Sequence, residues 1–162
     1  MAQQNESKKE STEILQLVSF NIGVEEFGVD ILKVQEINKM IHITKVPNSP
    51  DFIEGVINLR GRVIPVIDLR TRMGMDRAES NKDTRIIIVE VSDRTVGFIV
   101  DAVNEVLRIP ANITEPPPQM VTSVNAEYIT GVGKLEDRLL LLLDLEKVLV
   151  DEEKVQLGET GA

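Results

Sequence analysis

The chain has 162 residues, 42% apolar and 28% charged, with no cysteine, no tryptophan, one histidine and a formal net charge of −9. That length suits one compact domain or two small ones with a true hydrophobic core. The missing cysteines exclude disulfide scaffolds, zinc ribbons and thiol nucleophiles. A lone His42 excludes an imidazole metal cluster, and the acidic balance argues against a nucleic-acid backbone binder.

In chain order, residues 1–13 hold no apolar run and read as a disordered tail, neither a signal nor a transit peptide. No later segment approaches the roughly 18 to 20 apolar residues of a membrane span, so direct membrane insertion is not expected. The folded body is expected over residues 14–150. Its vocabulary is β: 46 residues are Val, Ile or Thr, whose branching suits a pleated surface better than a helix. Ile14 to Ile22 alternates for much of its length and reads as a strand, followed by a turn over Gly23 to Glu26. Pro47 to Pro50 is a second turn, and Pro50 to Glu54 a short helical candidate. Val63 to Ile67 reads as a strand that Pro65 should confine to an edge or a bulge. A helical stretch over Asp68 to Gly74, a strand over Arg85 to Val91 and a turn over Ser92 to Thr95 follow. Pro116 to Pro118 stiffens a long connection, and Asp144 to Val150 is the last helical candidate. Residues 151–162 read as an acidic tail or a frayed helix.

An internal repeat organises these pieces. Gly28 to Ile37 matches Gly97 to Val106 at an offset of 69, and Gly55 to Leu69 matches Gly131 to Leu145 at an offset of 76. The offset grows because the linking segment lengthens from 17 residues to 24. Two copies, about 14–82 and 83–150, with some five short strands each, are too small for open sheets and are expected to close into barrels. The expected fold is therefore all-β: two five-stranded barrels, intertwined or adjacent, packed side by side with short helical segments. A groove between them is a natural place for a partner. Arg62 has a counterpart in Arg138, which suggests a turn-flanking arginine paired with a carboxylate. Arg60 faces Glu136 in the other copy, so a specific role is more plausible there.

The segments Phe27 to Ile37, Pro50 to Gly61, Val63 to Arg70 and Tyr128 to Gly133 resemble the CheW family of chemotaxis coupling proteins, over about Ile14 to Val150. The resemblance implies two SH3-like barrels and a non-enzymatic, cytoplasmic adaptor without cofactor. Such an adaptor joins the regulatory domain of the histidine kinase CheA to the tips of methyl-accepting chemoreceptors and is recruited to the membrane-associated array. It also implies that Arg60 and Glu36 are polar positions of a receptor-binding groove lined by Ile31, Val34, Thr84 and Ile86. For Ile31, Val34 and Ile86 plain core is an equal alternative, and Glu36 could support the fold by pairing with Arg60. The kinase would dock where Ile43, Val46 and Phe52 lie, Phe52 being an anchor or a lid over a barrel end. Within the same fold the alternatives are a stand-alone relative of the kinase regulatory domain or a coupling domain without its response-regulator partner. From another class, a small-ligand double barrel would need aromatic platforms, and the chain has four Phe and one Tyr. Gly131 to Lys134 lacks the spacer of a phosphate loop and reads as a turn.

Overall fold

Alternation and β-branching decide eleven strands in a computed structural model that describes residues 13–117, 128–149, 153 and 156. They are β1 (Ile14–Ile22), β2 (Glu25–Asp30), β3 (Val34–Lys39), β4 (Gly55–Leu59), β5 (Arg62–Asp68) and β6 (Arg85–Val91). Then come β7 (Arg94–Val100), β8 (Ala102–Pro110), β9 (Thr114–Glu115), β10 (Ile129–Lys134) and β11 (Leu139–Leu143). An α-helical turn, α1 (Leu69–Arg72), falls inside the expected 68–74 stretch, and Leu145–Lys147 is a 3-10 turn inside 144–150. Residues 50–54 do not make a helix: Pro50 accepts one hydrogen bond from Ile53 N–H at 3.1 Å and the chain moves on. The expected tail over residues 1–13 and Pro118 lie mostly or wholly outside the described residues.

Two sheets form, ordered β8-β1-β2-β11-β10-β9 and β3-β6-β7-β5-β4. The repeat equates β1 with β6, β2 with β7, β3 with β8, β4 with β10 and β5 with β11, which makes the two orders the same. Even the single parallel pairing recurs, β2 with β11 and β7 with β5. The sheets differ only at the last place, where β9 pairs with β10 and its counterpart is an isolated bridge between Thr44 and Val56. Each repeat copy contributes to both sheets, because its first hairpin lies in the sheet built mainly from the other copy. Barrel I is thus the contiguous stretch β3 to β7, and barrel II is built from the two ends of the chain.

Core residues sort by parity. In β6, Ile86 and Ile88 join Ile57, Ile64 and Val66 inside barrel I, whereas Ile87, Val89 and Val91 join Phe20, Ile22 and Phe27 in a seam between the sheets. In β11, Leu140 fills barrel II while Leu143 faces the seam. A strand buried on both faces needs no polar alternation, which accounts for the uninterrupted runs at 86–89 and 140–143. Each fully buried Ile or Leu contributes about 1.5–3 kcal/mol, so the seam is a main source of stability as well as the joint.

The repeated short motifs have structural causes. Asp68 and Asp144 each accept the N–H two residues on, Arg70 at 2.9 Å and Glu146 at 3.0 Å, and the following Leu69 and Leu145 are buried. Gly55 and Gly131 let another backbone pass: a Cβ would stand 2.4 Å from the Thr44 carbonyl oxygen in one copy and 3.1 Å from that of Glu115 in the other. Pro65 is not at an edge, since β5 lies between β7 and β4. It is tolerated because it faces Val56, whose N–H and C=O both bond to Thr44 at 2.8 Å, and because the ladder to β7 begins one residue later at Val66.

Candidate partner-binding site

The β4–β5 hairpin closes with Arg60 and Gly61, both at positive φ, +52° and +84°. Asn58 Oδ1 accepts the Gly61 N–H at 2.9 Å. A two-residue hairpin turn with two positive φ values favours Asn-Gly, and an arginine in the first place is held in a region that side chains with a Cβ avoid. The guanidinium is anchored across the barrel end. Arg60 Nη1 donates to Glu36 Oε1 at 3.2 Å, Nη2 pairs with Glu36 Oε2, and Asn38 Nδ2 donates to Glu36 Oε1 at 2.7 Å. These bonds, Arg60 first and Asn38 second, hold the Glu36 carboxyl below the usual glutamate range, and Glu36 raises the Arg60 pKa in turn. The side chains are 69% and 29% exposed. A solvent-screened pair of this kind adds little stability, too little to explain a strained turn residue by stability alone. The geometry presents a fixed guanidinium edge to solvent.

The second barrel breaks the pattern where the sequence suggested. Glu136 and Glu105 stand at the positions of Arg60 and Glu36. The flanking arginines behave alike but not identically: Arg138 Nε donates to Glu26 Oε1 at 2.5 Å, whereas Arg62 Nη2 donates to the Thr95 hydroxyl at 2.9 Å, not to a carboxylate. Burial raises the Glu26 carboxyl, and hydrogen bonds from Arg138 and Ser19 outweigh it, so Glu26 titrates below its usual range.

Ile31 and Val34 lie beside this pair in chain order, half-buried against the seam. Ile31–Lys33 is the 3-10 turn by which the chain leaves β2 in one sheet and enters β3 in the other, started by Asp30 Oδ1 accepting Leu32 N–H at 2.9 Å. Two expected groove residues are displaced. Ile86 is fully buried inside barrel I, where no partner can touch it. Thr84 is buried too, and it lines a cavity with Ile43 at the other end of the barrel. The reason is strand parity and polarity: Ile86 points inward, and Thr84 precedes β6 at the end opposite the Arg60 turn. Ile43 packs half-buried against the interior of barrel I, Phe52 half-buried against the seam, and Val46 is half-buried in a turn that its carbonyl closes with Ser49 N–H at 3.2 Å. His42 is exposed.

Sequence reasoning missed Asn38, which shares the Glu36 face of β3 two residues on and orients its carboxylate. It also missed that Ile37 and Val63, with repeat counterparts Val106 and Leu139, are all exposed large apolar side chains. The signal was available: the repeat keeps two positions apolar in both copies, 37 with 106 and 63 with 139. Among the described residues no group of three His, Cys, Asp or Glu is placed to hold a metal, and no helix is long and apolar enough to cross a membrane.

Comparison with known proteins gives concordant results. The model of the CheW-like domain family matches residues 16–153. A chemotaxis protein CheW of Klebsiella aerogenes is 43% identical over 134 residues, covering 83% of this chain and 81% of its own. That of Helicobacter pylori is 39% identical over 142 residues, covering 88% and 86%. The crystal structure of the scaffolding protein TtCheW from Thermoanaerobacter tengcongensis aligns with a TM-score of 0.78 at 43% identity, covering 86% of this chain and 95% of that one.

Proposed function

The chain belongs to the CheW family, and from that premise we propose that it couples a CheA-type histidine kinase, through its regulatory domain, to the cytoplasmic tips of methyl-accepting chemoreceptors. At the coarser level it is a chemotaxis scaffolding protein of two SH3-like barrels, with a non-enzymatic role typical of the family. The observation that carries the finer reading is the Arg60–Glu36 pair. A guanidinium held in a strained turn, exposed, with no equivalent in the second repeat, is suited to fixing the register of a helical partner. Ile31 and Val34 supply adjoining apolar surface, and Glu36 with Asn38 sets the orientation of the arginine. Ile43, Val46 and Phe52 belong to the proposed kinase face. With such partners the protein works at the cytoplasmic side of a membrane-associated receptor array.

The ligand-binding reading loses support from the aromatic residues. Phe20, Phe27 and Phe98 are buried in the seam, the first two stacked at 5.8 Å, and Phe52 and Tyr128 pack half-buried against it, so no aromatic ring stands fully exposed as a platform for a sugar or base. The coupling role is tested by mixing purified kinase, a receptor cytoplasmic fragment and this protein at modest salt. Co-sedimentation of kinase with receptor fragment only when the protein is present is the expected result. Kinase and receptor fragment sedimenting together equally well without it would overturn the assignment.

A further inference from the structure

We propose that the cavity at the Asp68 end of barrel I is a receptor site for one arginine side chain presented by a protein partner. The ends of β5 and β7 and the starts of β4 and β6 meet there, opposite the Arg60 turn. The cavity measures about 280 Å³ and is walled on one side by Met40, Ile43 and Ile99. Small-molecule sites usually run from about 300 to 1,000 Å³, so this space suits a single side chain.

The polar side of the cavity is acidic and incompletely neutralised. Arg70 Nε is engaged by Asp101 at 3.0 and 3.2 Å, and Arg77 by Glu54 at 2.8 Å. Asp68 and Glu79 remain without an ion-pair partner among the described residues. Asp68 is only 9% exposed, and its one side-chain hydrogen bond is the Arg70 N–H on Oδ1. Oδ2 accepts no hydrogen bond and is not fully enclosed, and Asp68 is one of the residues that line this cavity. Burial pushes the Asp68 carboxyl up, and Glu54 and Asp101 add to that, although the Arg70 N–H and Arg77 oppose it. A cation arriving at Oδ2 relieves this unfavourable potential. An apolar wall facing a buried carboxylate fits a guanidinium better than an ammonium, because guanidinium is weakly hydrated and tolerates apolar contact.

The second barrel supplies a contrast. Its cavity at the corresponding end has Leu15, Leu32 and Thr130 where the first has Thr84, Asp101 and Glu54. The second cavity keeps two carboxylates in its lining, Glu13 and Asp30, but at those three matched positions it has no acidic residue. The arginine site does not rest on the coupling role proposed above.

The probe is n-butylguanidinium chloride, with neutral n-butylurea as control, followed by methyl NMR of the full-length protein. Saturable shifts at Ile43, Ile99 and Met40 with the guanidinium and none with the urea are expected. Asp68→Asn keeps an oxygen to accept the Arg70 N–H and should weaken binding about tenfold, the loss of one charge-assisted contact. Arg77→Ala removes a competing cation and should tighten binding about threefold. No guanidinium binding, an equal response to both probes, or unchanged affinity in Asp68→Asn would overturn the site. Should Asp68→Asn fail to fold, an unchanged affinity in Arg77→Ala overturns it instead.

Discussion

At the scale of single residues, Arg60 joins three observations: a left-handed φ, a bidentate partner in Glu36 and an acidic counterpart in Glu136. The lowered Glu36 pKa means that its stabilising interaction is complete above the ordinary glutamate value and is lost only as pH falls through the lowered one. In Arg60→Ala, the Glu36 carboxyl followed by carbon NMR should titrate at higher pH than in the parent; equal midpoints would show that Asn38 alone sets it. The pairing of Arg60 with Glu36 was open to sequence reasoning as one of two roles, because the repeat keeps Glu36 as Glu105 while it replaces Arg60 with Glu136. Burial was not legible there. Whether an apolar residue such as Ile86 faces a barrel interior or a groove depends on which of two faces a doubly buried strand turns inward, and a run of four apolar residues carries no alternation from which to tell.

At the scale of elements, the strands at 14–22 and 85–91 were legible to the residue, since polar or turn residues bound them on both sides. The 3-10 turns at Ile31–Lys33 and Ala111–Ile113 were not, because three residues are too few to show a period. Pro65 misled for a related reason: the rule that excludes proline from central strands assumes a ladder on both sides at that residue, and here the ladder to β7 has not begun. The glycines are where element-level reasoning gives numbers. A Cβ at Gly55 would meet the Thr44 carbonyl at 2.4 Å and Ile43 Cγ2 at 2.7 Å, whereas one at Gly61 would meet nothing within 4 Å. Gly55→Ala should therefore lose about 3 kcal/mol, the upper end of overpacking because a backbone oxygen cannot rotate away, with Gly61→Ala losing about 1–2 kcal/mol from its φ of +84° alone. Urea unfolding of the two variants checks the order. A reversed order would mean that the Thr44 bridge is not a fixed part of the fold.

At the scale of the molecule, the repeat was visible in the sequence but its exchange of hairpins was not. Offsets of 69 and 76 establish that two copies have the same order of elements, and they say nothing of which copy's hairpin completes which sheet. That choice is made by the seam, where Phe20 and Phe27 of one sheet pack in one cluster with Val89, Val96 and Phe98 of the other. A shared core of this size couples the barrels, so the chain should unfold in one transition, with coincident curves from circular dichroism and calorimetry. Fragments 1–82 and 83–162, each holding strands of both sheets, should be unfolded separately and regain the native spectrum when mixed. A native-like spectrum from monomeric 1–82 alone would contradict the exchanged arrangement.

The central claim concerns what the Arg60 edge is for, and Arg60→Asp tests it. Association with a receptor cytoplasmic fragment and with the kinase regulatory domain is measured separately, with the melting temperature recorded beside them. Loss of receptor affinity by tenfold or more, with kinase affinity unchanged and the melting temperature moved by no more than about 2 °C, is the predicted result. Equal loss of both associations together with a lowered melting temperature would make Arg60 a structural residue and contradict the account.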